Sequence, residues 1–227
     1  MKKIKTIGVV GAGQMGSGIA QVAAVSGYSV LLYDAFPGVA EKSGERIKAS
    51  LDKLLAKGKL EHEKHDFAMQ AIQVVDNLVD VAQADLVVEA AVEKVELKKE
   101  LFAALDKAAA PDVILASNTS SISLTEIASA TKRPDKVIGM HFFNPAPVMK
   151  LLEVVKGYLT SQETIDTILE VGKQLEKVPV LAVDKAGFIV NRILDPMLNE
   201  AIFLLEDGGG TAEDIDHGMK VGCNHPL

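Results

Sequence analysis

Residues 4–34, IKTIGVVGAGQMGSGIAQVAAVSGYSVLLYD, decide the fold. Ile4 to Val10 is rich in β-branched residues and reads as a buried strand. Gly11 to Gly18 follows, and Ile19 to Ser26 then reads as a helix that Gly27 ends. Tyr28 to Tyr33 reads as a second strand, closed by an acid at Asp34. The turn Gly11-Ala12-Gly13-Gln14-Met15-Gly16 fits G-x-G-x-x-G. Alone, such a turn is a weak signal. Between a strand and a helix, with Asp34 18 residues after Gly16, it is a dinucleotide fingerprint.

Each residue type has a reason to be there. Gly11 permits the tight turn, Gly13 leaves room for a pyrophosphate against the backbone, and Gly16 lets helix and strand approach. The helix N-terminus offers N–H groups and a positive dipole end to phosphates. Asp34 would accept from the adenosine ribose hydroxyls and repel a 2′-phosphate, which favours NAD over NADP. The bland alternative is a plain strand-turn-helix with Asp34 in solvent.

Working outward, strands and helices alternate. Helical segments at Pro37 to Lys57 and Glu61 to Gln73 flank Gly58 and form an inserted pair long enough to project from a sheet. Strands are expected at Ile72 to Val75, Asp85 to Ala90, Val113 to Ser117 and Val137 to Phe142, with helices at Lys94 to Ala109 and Leu124 to Ala130. This rhythm implies an α/β, Rossmann-like, mostly parallel sheet covered on both faces. Met149 to Val155 is strand-like but follows too soon for a parallel crossover, so it should run antiparallel to Val137 to Phe142. Positions 141 and 153 lie six residues either side of Pro147, so a hairpin centred there brings His141 and Glu153 together.

Helix Glu163 to Glu176 and strand Val178 to Val183 complete a first domain, 1–184, for the dinucleotide. Asp184 to Gly187 reads as a junction. Residues 185–227 read as the start of an all-α second domain, incomplete at about forty residues. Phe188 to Leu205 is apolar and helical, with a kink or interruption expected at Pro196. Thr211 is the expected cap of a last helix, Ala212 to Lys220.

Composition limits the rest. Hydrophobic residues make up 48%, enough for a large core. A net charge of -7 supplies no basic field for nucleic acid. The single cysteine, Cys223, excludes an internal disulfide and suits a reducing compartment. The first strand follows Met1 too closely for a leader, and no apolar run approaches the ~20 residues of a membrane span. A cytoplasmic protein without a membrane partner is the expectation. Cys223 and His225 are too few for zinc, so no metal is expected, and His62 and His65 are expected at the surface.

An alcohol dehydrogenase needs a base for the hydroxyl proton and donors for the oxygen as charge develops. Ser117-Asn118-Thr119-Ser120-Ser121 and His141 sit at carboxyl ends of expected strands, where open α/β sheets bind ligands. The segments GAGQMGSGIAQVAA, ADLVVEAAVE, ASNTSS, HFFNPAPVMKLLEVV and GFIVNRI strongly resemble the 3-hydroxyacyl-CoA dehydrogenase family, especially its short bacterial 3-hydroxybutyryl-CoA members. They span residue 4 to beyond 190.

The resemblance implies roles. His141 is the implied general base for alcohol oxidation and acid for ketone reduction, with Glu153 orienting its ring. Ser120 is implied on the substrate oxygen and Asn191 in placing the thioester. Gly11, Gly13, Gln14, Met15, Gly16, Asp34, Glu93, Lys98, Ser120 and Asn144 are implied around NAD, Glu93 and Lys98 near the nicotinamide ribose. Ser50 and Lys57 are implied contacts for coenzyme A, with Lys53 and Lys59 adding positive charge. Asn144 shares the cleft. The substrate implied is an (S)-3-hydroxyacyl-CoA, and the family's full-length members are homodimers; the oligomeric state of this chain stays open. Each residue has a plainer reading: Ser120 as a helix cap, Lys57 as a solvated charge, Asn191 as a polar helix-face residue. Competing readings of the whole chain are a dehydrogenase of a free hydroxy acid, a non-catalytic NAD-binding fragment, and a module of a multifunctional β-oxidation protein, against which the start at Met1 argues.

Overall fold

The computed structural model describes residues 3–225 and divides the chain into two compact units, 1–186 and 187–227. The first holds β1 (Thr6–Val10), α1 (Gln14–Val25), β2 (Ser29–Tyr33), α2 (Val39–Ala56), α3 (His62–Ala71), β3 (Ile72–Val74), α4 (Leu78–Val81), β4 (Leu86–Glu89), α5 (Val95–Ala108), β5 (Ile114–Ser117), α6 (Leu124–Ala128), β6 (Val137–Phe142), β7 (Leu151–Lys156), α7 (Gln162–Gln174) and β8 (Val178–Val183). The strands form one sheet in the order β3-β2-β1-β4-β5-β6-β7-β8. All pairs are parallel except β6 with β7. The chain reverses direction across the sheet beside β1, which makes the carboxyl ends of β1 and β4 the switch point where such sheets bind ligands.

Period-two alternation separates two faces. Ile7, Val9, Val30, Leu32, Leu86, Val88, Ala116, Ile138, Met140 and Val154 are buried with Ile19, Ala20 and Ala23 of α1 and Ile165 and Ile168 of α7. On the opposite face Val87 and Leu115 are buried, as are Leu105 of α5 and Leu124 and Ile127 of α6. At the carboxyl edge that second face turns polar, and the site lies there.

Several expectations change. Helix α1 begins at Gln14 rather than Ile19, because its glycines are packing surfaces and not loop. A Cβ on Gly16 would lie 1.7 Å from the Gly11 carbonyl oxygen, and one on Gly18 3.0 Å from the Ala146 Cβ. The pair α2–α3 is docked rather than projecting: Ile47, Leu51 and Ala68 belong to the α1-side core. Strand β7 begins at Leu151, since the Val148 and Met149 N–H groups are turned back onto the Pro145 carbonyl. The short α4 has no apolar period to reveal it; Asn77 caps it by accepting from the Asp80 N–H at 2.9 Å.

The second unit contains α8 (Val190–Glu206) and α9 (Ala212–Cys223). Helix α8 runs through Pro196 without interruption. Thr211 caps α9 as expected, accepting from the Asp214 N–H at 3.1 Å. No helix among the described residues is long and apolar enough to cross a membrane.

Candidate active site

The glycine turn sits between β1 and α1. Gly11 adopts φ +96°, which glycine tolerates and other residues rarely do. A Cβ on Gly13 would meet nothing within 4 Å, so the space above the turn is open. Asp34, at the end of β2, accepts from the Ala12 N–H at 2.7 Å and the Phe36 N–H at 2.9 Å. Its carboxylate is thereby aimed across the turn, with lone pairs left for further donors. A cleft of about 460 Å³ opens here, lined by Gly13, Gln14, Asp34, Phe36, Ala90 and Leu101 among others. An N–H-rich turn, an oriented acid and an apolar wall together fit a dinucleotide with unphosphorylated ribose.

Next to the cleft, residues in register across the carboxyl ends make a polar row. Val10 pairs with Glu89, Glu89 with Ser117, and Ser117 with Gly139. Glu89 is fully buried and accepts from the Ala91 N–H at 2.7 Å, the Ser117 hydroxyl at 2.6 Å and the Lys98 ammonium at 2.7 Å. Lys98, 1% exposed, also pairs with Glu93 at 3.1 Å. The position implied for a cofactor contact thus holds an ammonium enclosed by two carboxylates.

Glu93 in turn organises the segment after β5. It accepts from the Thr119 hydroxyl and from the Ser120 N–H at 3.1 Å. Burial pushes the Glu93 carboxyl up, but the Thr119 hydrogen bond, the Lys98 charge and the Ser120 N–H outweigh it and hold the group below the ordinary carboxylate range. The Asn118 side chain accepts from the Phe142 N–H at 2.9 Å, tying this segment to β6. Ser120 is half-buried and is not the cap of α6; Ser123 is.

His141 lies two residues beyond Gly139 on the same face, directly opposite Glu153 of β7. Its Nδ1 is 2.7 Å from Glu153 Oε2, with the side chains 8% and 1% exposed. A carboxylate in its ionised form only accepts, and opposite such a group Nδ1 is the donor. The Phe143 ring stands 4.5 Å away at 45°. Past β6 the chain turns back over α1, and Gln14 Nε2 donates to Asn144 Oδ1 at 3.1 Å. The hairpin holding His141 and Glu153 therefore touches the glycine turn. Lys177 secures the hairpin loop by donating to the Ala146 and Met149 carbonyls at 2.6 and 2.9 Å.

The other expected residues lie on further elements. Ser50 is half-buried on α2, Lys53 follows on the same helical face, exposed, and Lys57 at the C-cap and Lys59 beyond it are exposed. Asn191 is half-buried in the first turn of α8, in the second unit. His62 is exposed, but His65 is not the expected surface residue: it is 8% exposed, its nitrogens 2.9 Å from Asp52 and 3.0 Å from Asp66. Two carboxylates flanking one ring satisfy both nitrogens, which lets it pack inward.

Sequence reasoning missed Glu89, Asp184 and Lys177, and singled out Ser117 and Thr119 only as members of the 117–121 stretch. Glu89 did leave a signal, an acid ending the otherwise apolar strand LVVE. Thr119 and Asp184 matter through partners far along the chain, and no local pattern reveals those.

Comparison with known proteins agrees with this geometry. A sequence profile described as "3-hydroxyacyl-CoA dehydrogenase, NAD binding domain" matches residues 6–185, and one for the C-terminal domain of the same enzymes matches 187–227. The chain is 48% identical over 221 residues to a 3-hydroxybutyryl-CoA dehydrogenase of Clostridioides difficile, covering 97% of this chain and 79% of that protein. It is 46% identical over 230 residues to the mitochondrial hydroxyacyl-coenzyme A dehydrogenase of Homo sapiens, covering 99% of this chain and 73% of that one. The crystal structure of (S)-3-hydroxybutyryl-CoA dehydrogenase PaaH1 from Ralstonia eutropha superposes with a TM-score of 0.95 at 45% identity, covering 99% of this chain and 79% of that chain.

Proposed function

Because the chain belongs to the 3-hydroxyacyl-CoA dehydrogenase family, we propose that this NAD-dependent enzyme interconverts an (S)-3-hydroxyacyl-CoA, with 3-hydroxybutyryl-CoA as substrate, and its 3-oxoacyl-CoA, and that His141 and Glu153 move the proton. The observation that carries this reading is the His141–Glu153 pair at 2.7 Å on a hairpin hydrogen-bonded, through Asn144, to Gln14 of the glycine turn.

NAD, when bound, supplies the acceptor for the hydride leaving the alcohol carbon. The residues that would hold it are Gly11, Gly13, Gln14, Met15, Gly16 and Asp34 on the adenosine and pyrophosphate side, and Glu93, Ser120 and Asn144 toward the reacting end. Lys98 acts there by holding Glu93. Residues 1–184 are the cofactor domain and 185–227 belong to the helical one.

During oxidation, Nε2 of His141 takes the hydroxyl proton. The buried Glu153 carboxylate fixes the ring through Nδ1 and offsets the imidazolium charge that forms. In reduction the same imidazolium returns the proton to the ketone oxygen. The Ser120 hydroxyl donates to that oxygen, stabilising the charge it carries in the transition state. Asn191 assists in placing the thioester. Ser50 and Lys57, with Lys53 and Lys59, serve the coenzyme A moiety, where lysine acts on phosphate as a point charge.

The test is a comparison of NADH oxidation with acetoacetyl-CoA and with free acetoacetate. Turnover on the thioester and little on the free acid is expected; the reverse preference contradicts the proposed substrate class.

A further inference from the structure

We propose that Asp184 is a positioning residue for the reaction: it fixes the far end of the segment that carries Ser120. This rests on the reading of Ser120 as the donor to the substrate oxygen.

Asp184 lies just past β8, where its N–H donates to the Lys156 carbonyl at 3.1 Å and continues the sheet pairing. Its backbone is thus anchored to the end of β7. From there the carboxylate accepts from four donors: the Ser123 hydroxyl at 2.7 Å, the Leu124 N–H at 3.1 Å, the Thr125 N–H at 2.8 Å and the Thr125 hydroxyl at 2.6 Å. Both hydroxyls are used twice. Ser123 also accepts from the Glu126 N–H at 3.2 Å, and Thr125 from the Tyr158 N–H at 3.0 Å. Burial pushes the Asp184 carboxyl up, but these hydrogen bonds, led by the Thr125 hydroxyl, outweigh it and hold the group below its ordinary range.

The segment from Ser117 to Thr125 is therefore held at both ends by acids from elsewhere in the chain. Glu93 grips Thr119 and Ser120 at the near end, and Asp184 grips Ser123 to Thr125 at the far end. Ser120 lies between them. The segment has no charged side chain of its own; its hydroxyls accept from its own N–H groups, and the carboxylates that tie it to the rest of the fold come from outside. A donor to a developing oxyanion must be placed to a fraction of an ångström, and small misplacements cost large factors in rate.

A plain helix cap at α6 is the simpler reading, and kinetics separate the two. The experiment measures kcat and the KM for NADH, with acetoacetyl-CoA, in Asp184→Asn, Ser120→Ala and the double variant. The expected result is a kcat lowered roughly 10- to 100-fold in Asp184→Asn, with the KM for NADH changed by a much smaller factor, because the glycine turn and Asp34 on the adenosine side are untouched. In the Ser120→Ala background the same substitution should lower kcat no further. An equal additional loss in that background overturns the proposal, as does an unchanged kcat in Asp184→Asn. Wild-type kcat in Ser120→Ala also overturns it, yet leaves the His141 assignment to its own variant. If Asp184→Asn does not fold, Thr125→Val removes one of the four donors. A smaller kcat loss, again absent beside Ser120→Ala, supports the proposal, and wild-type kcat overturns it.

Discussion

His141 Nδ1 and Glu153 Oε2 stand 2.7 Å apart at directly opposed positions of an antiparallel strand pair. The sheet register, not a flexible loop, sets that distance, so the ring's direction is fixed by the fold. Glu153→Gln keeps the shape but lets the side-chain amide present a donor to Nδ1. The expected result is a kcat lowered by roughly 10²-fold, with NADH binding by fluorescence unchanged. Equal loss of kcat and NADH affinity would instead mark Glu153 as a structural residue.

Two glycines of one turn should separate stability from cofactor binding. A Cβ at Gly16 collides with the Gly11 carbonyl at 1.7 Å, whereas one at Gly13 enters open space. Gly16→Ala should lower both thermal stability and NADH affinity. Gly13→Ala should leave the thermal midpoint near wild type and still weaken NADH binding strongly, because the added methyl occupies the room expected for the pyrophosphate. Wild-type NADH affinity in Gly13→Ala would place the dinucleotide elsewhere.

The buried ammonium of Lys98 sits between Glu89 and Glu93 at 2.7 and 3.1 Å. Removing it leaves Glu89, fully buried, without its counter-charge. Lys98→Met is expected to cost about 3–5 kcal/mol in denaturant unfolding, and the double variant with Glu89→Gln less than that. A loss in the double variant equal to the sum of the single losses would show that the two groups act independently.

The pH response divides by the sign of each shift. Hydrogen bonds donated to Asp66 and then to Asp52 raise the His65 imidazole above its ordinary value. The stability it contributes is therefore fully present below ordinary histidine pH, about 6.5, and is lost as pH rises through the raised value. Glu93 and Asp184 are held low, so their contribution is present above the ordinary carboxylate range and lost as pH falls through the lowered values. His65→Gln should flatten the thermal midpoint against pH on the neutral side only. An unchanged neutral limb would contradict the assignment.

What could be read in advance followed from local rules. The strand-turn-helix with Asp34 is written in residues 4–34, and the hairpin symmetry about Pro147 placed His141 opposite Glu153 from spacing alone. Helix α1 was legible only in part, because Gly16 and Gly18 look like loop until their packing on Gly11 and Ala146 is known. His65 looked like a surface residue because its neutralising acids are ordinary surface residues until α2 and α3 pair. Lys177 resembles a solvated charge, and only the fold shows its ammonium among carbonyls. The misses at Lys177 and Asp184 share one cause: their partners lie tens of residues away, and sequence periodicity reports burial, not partnership.

The central claim is that His141 is the proton-transferring group. The direct test is NADH oxidation with acetoacetyl-CoA by wild type and His141→Gln, at NADH concentrations that saturate both. The account expects the variant to bind NADH normally and to lose roughly 10²- to 10⁴-fold in kcat. Turnover near that of the wild type would contradict it.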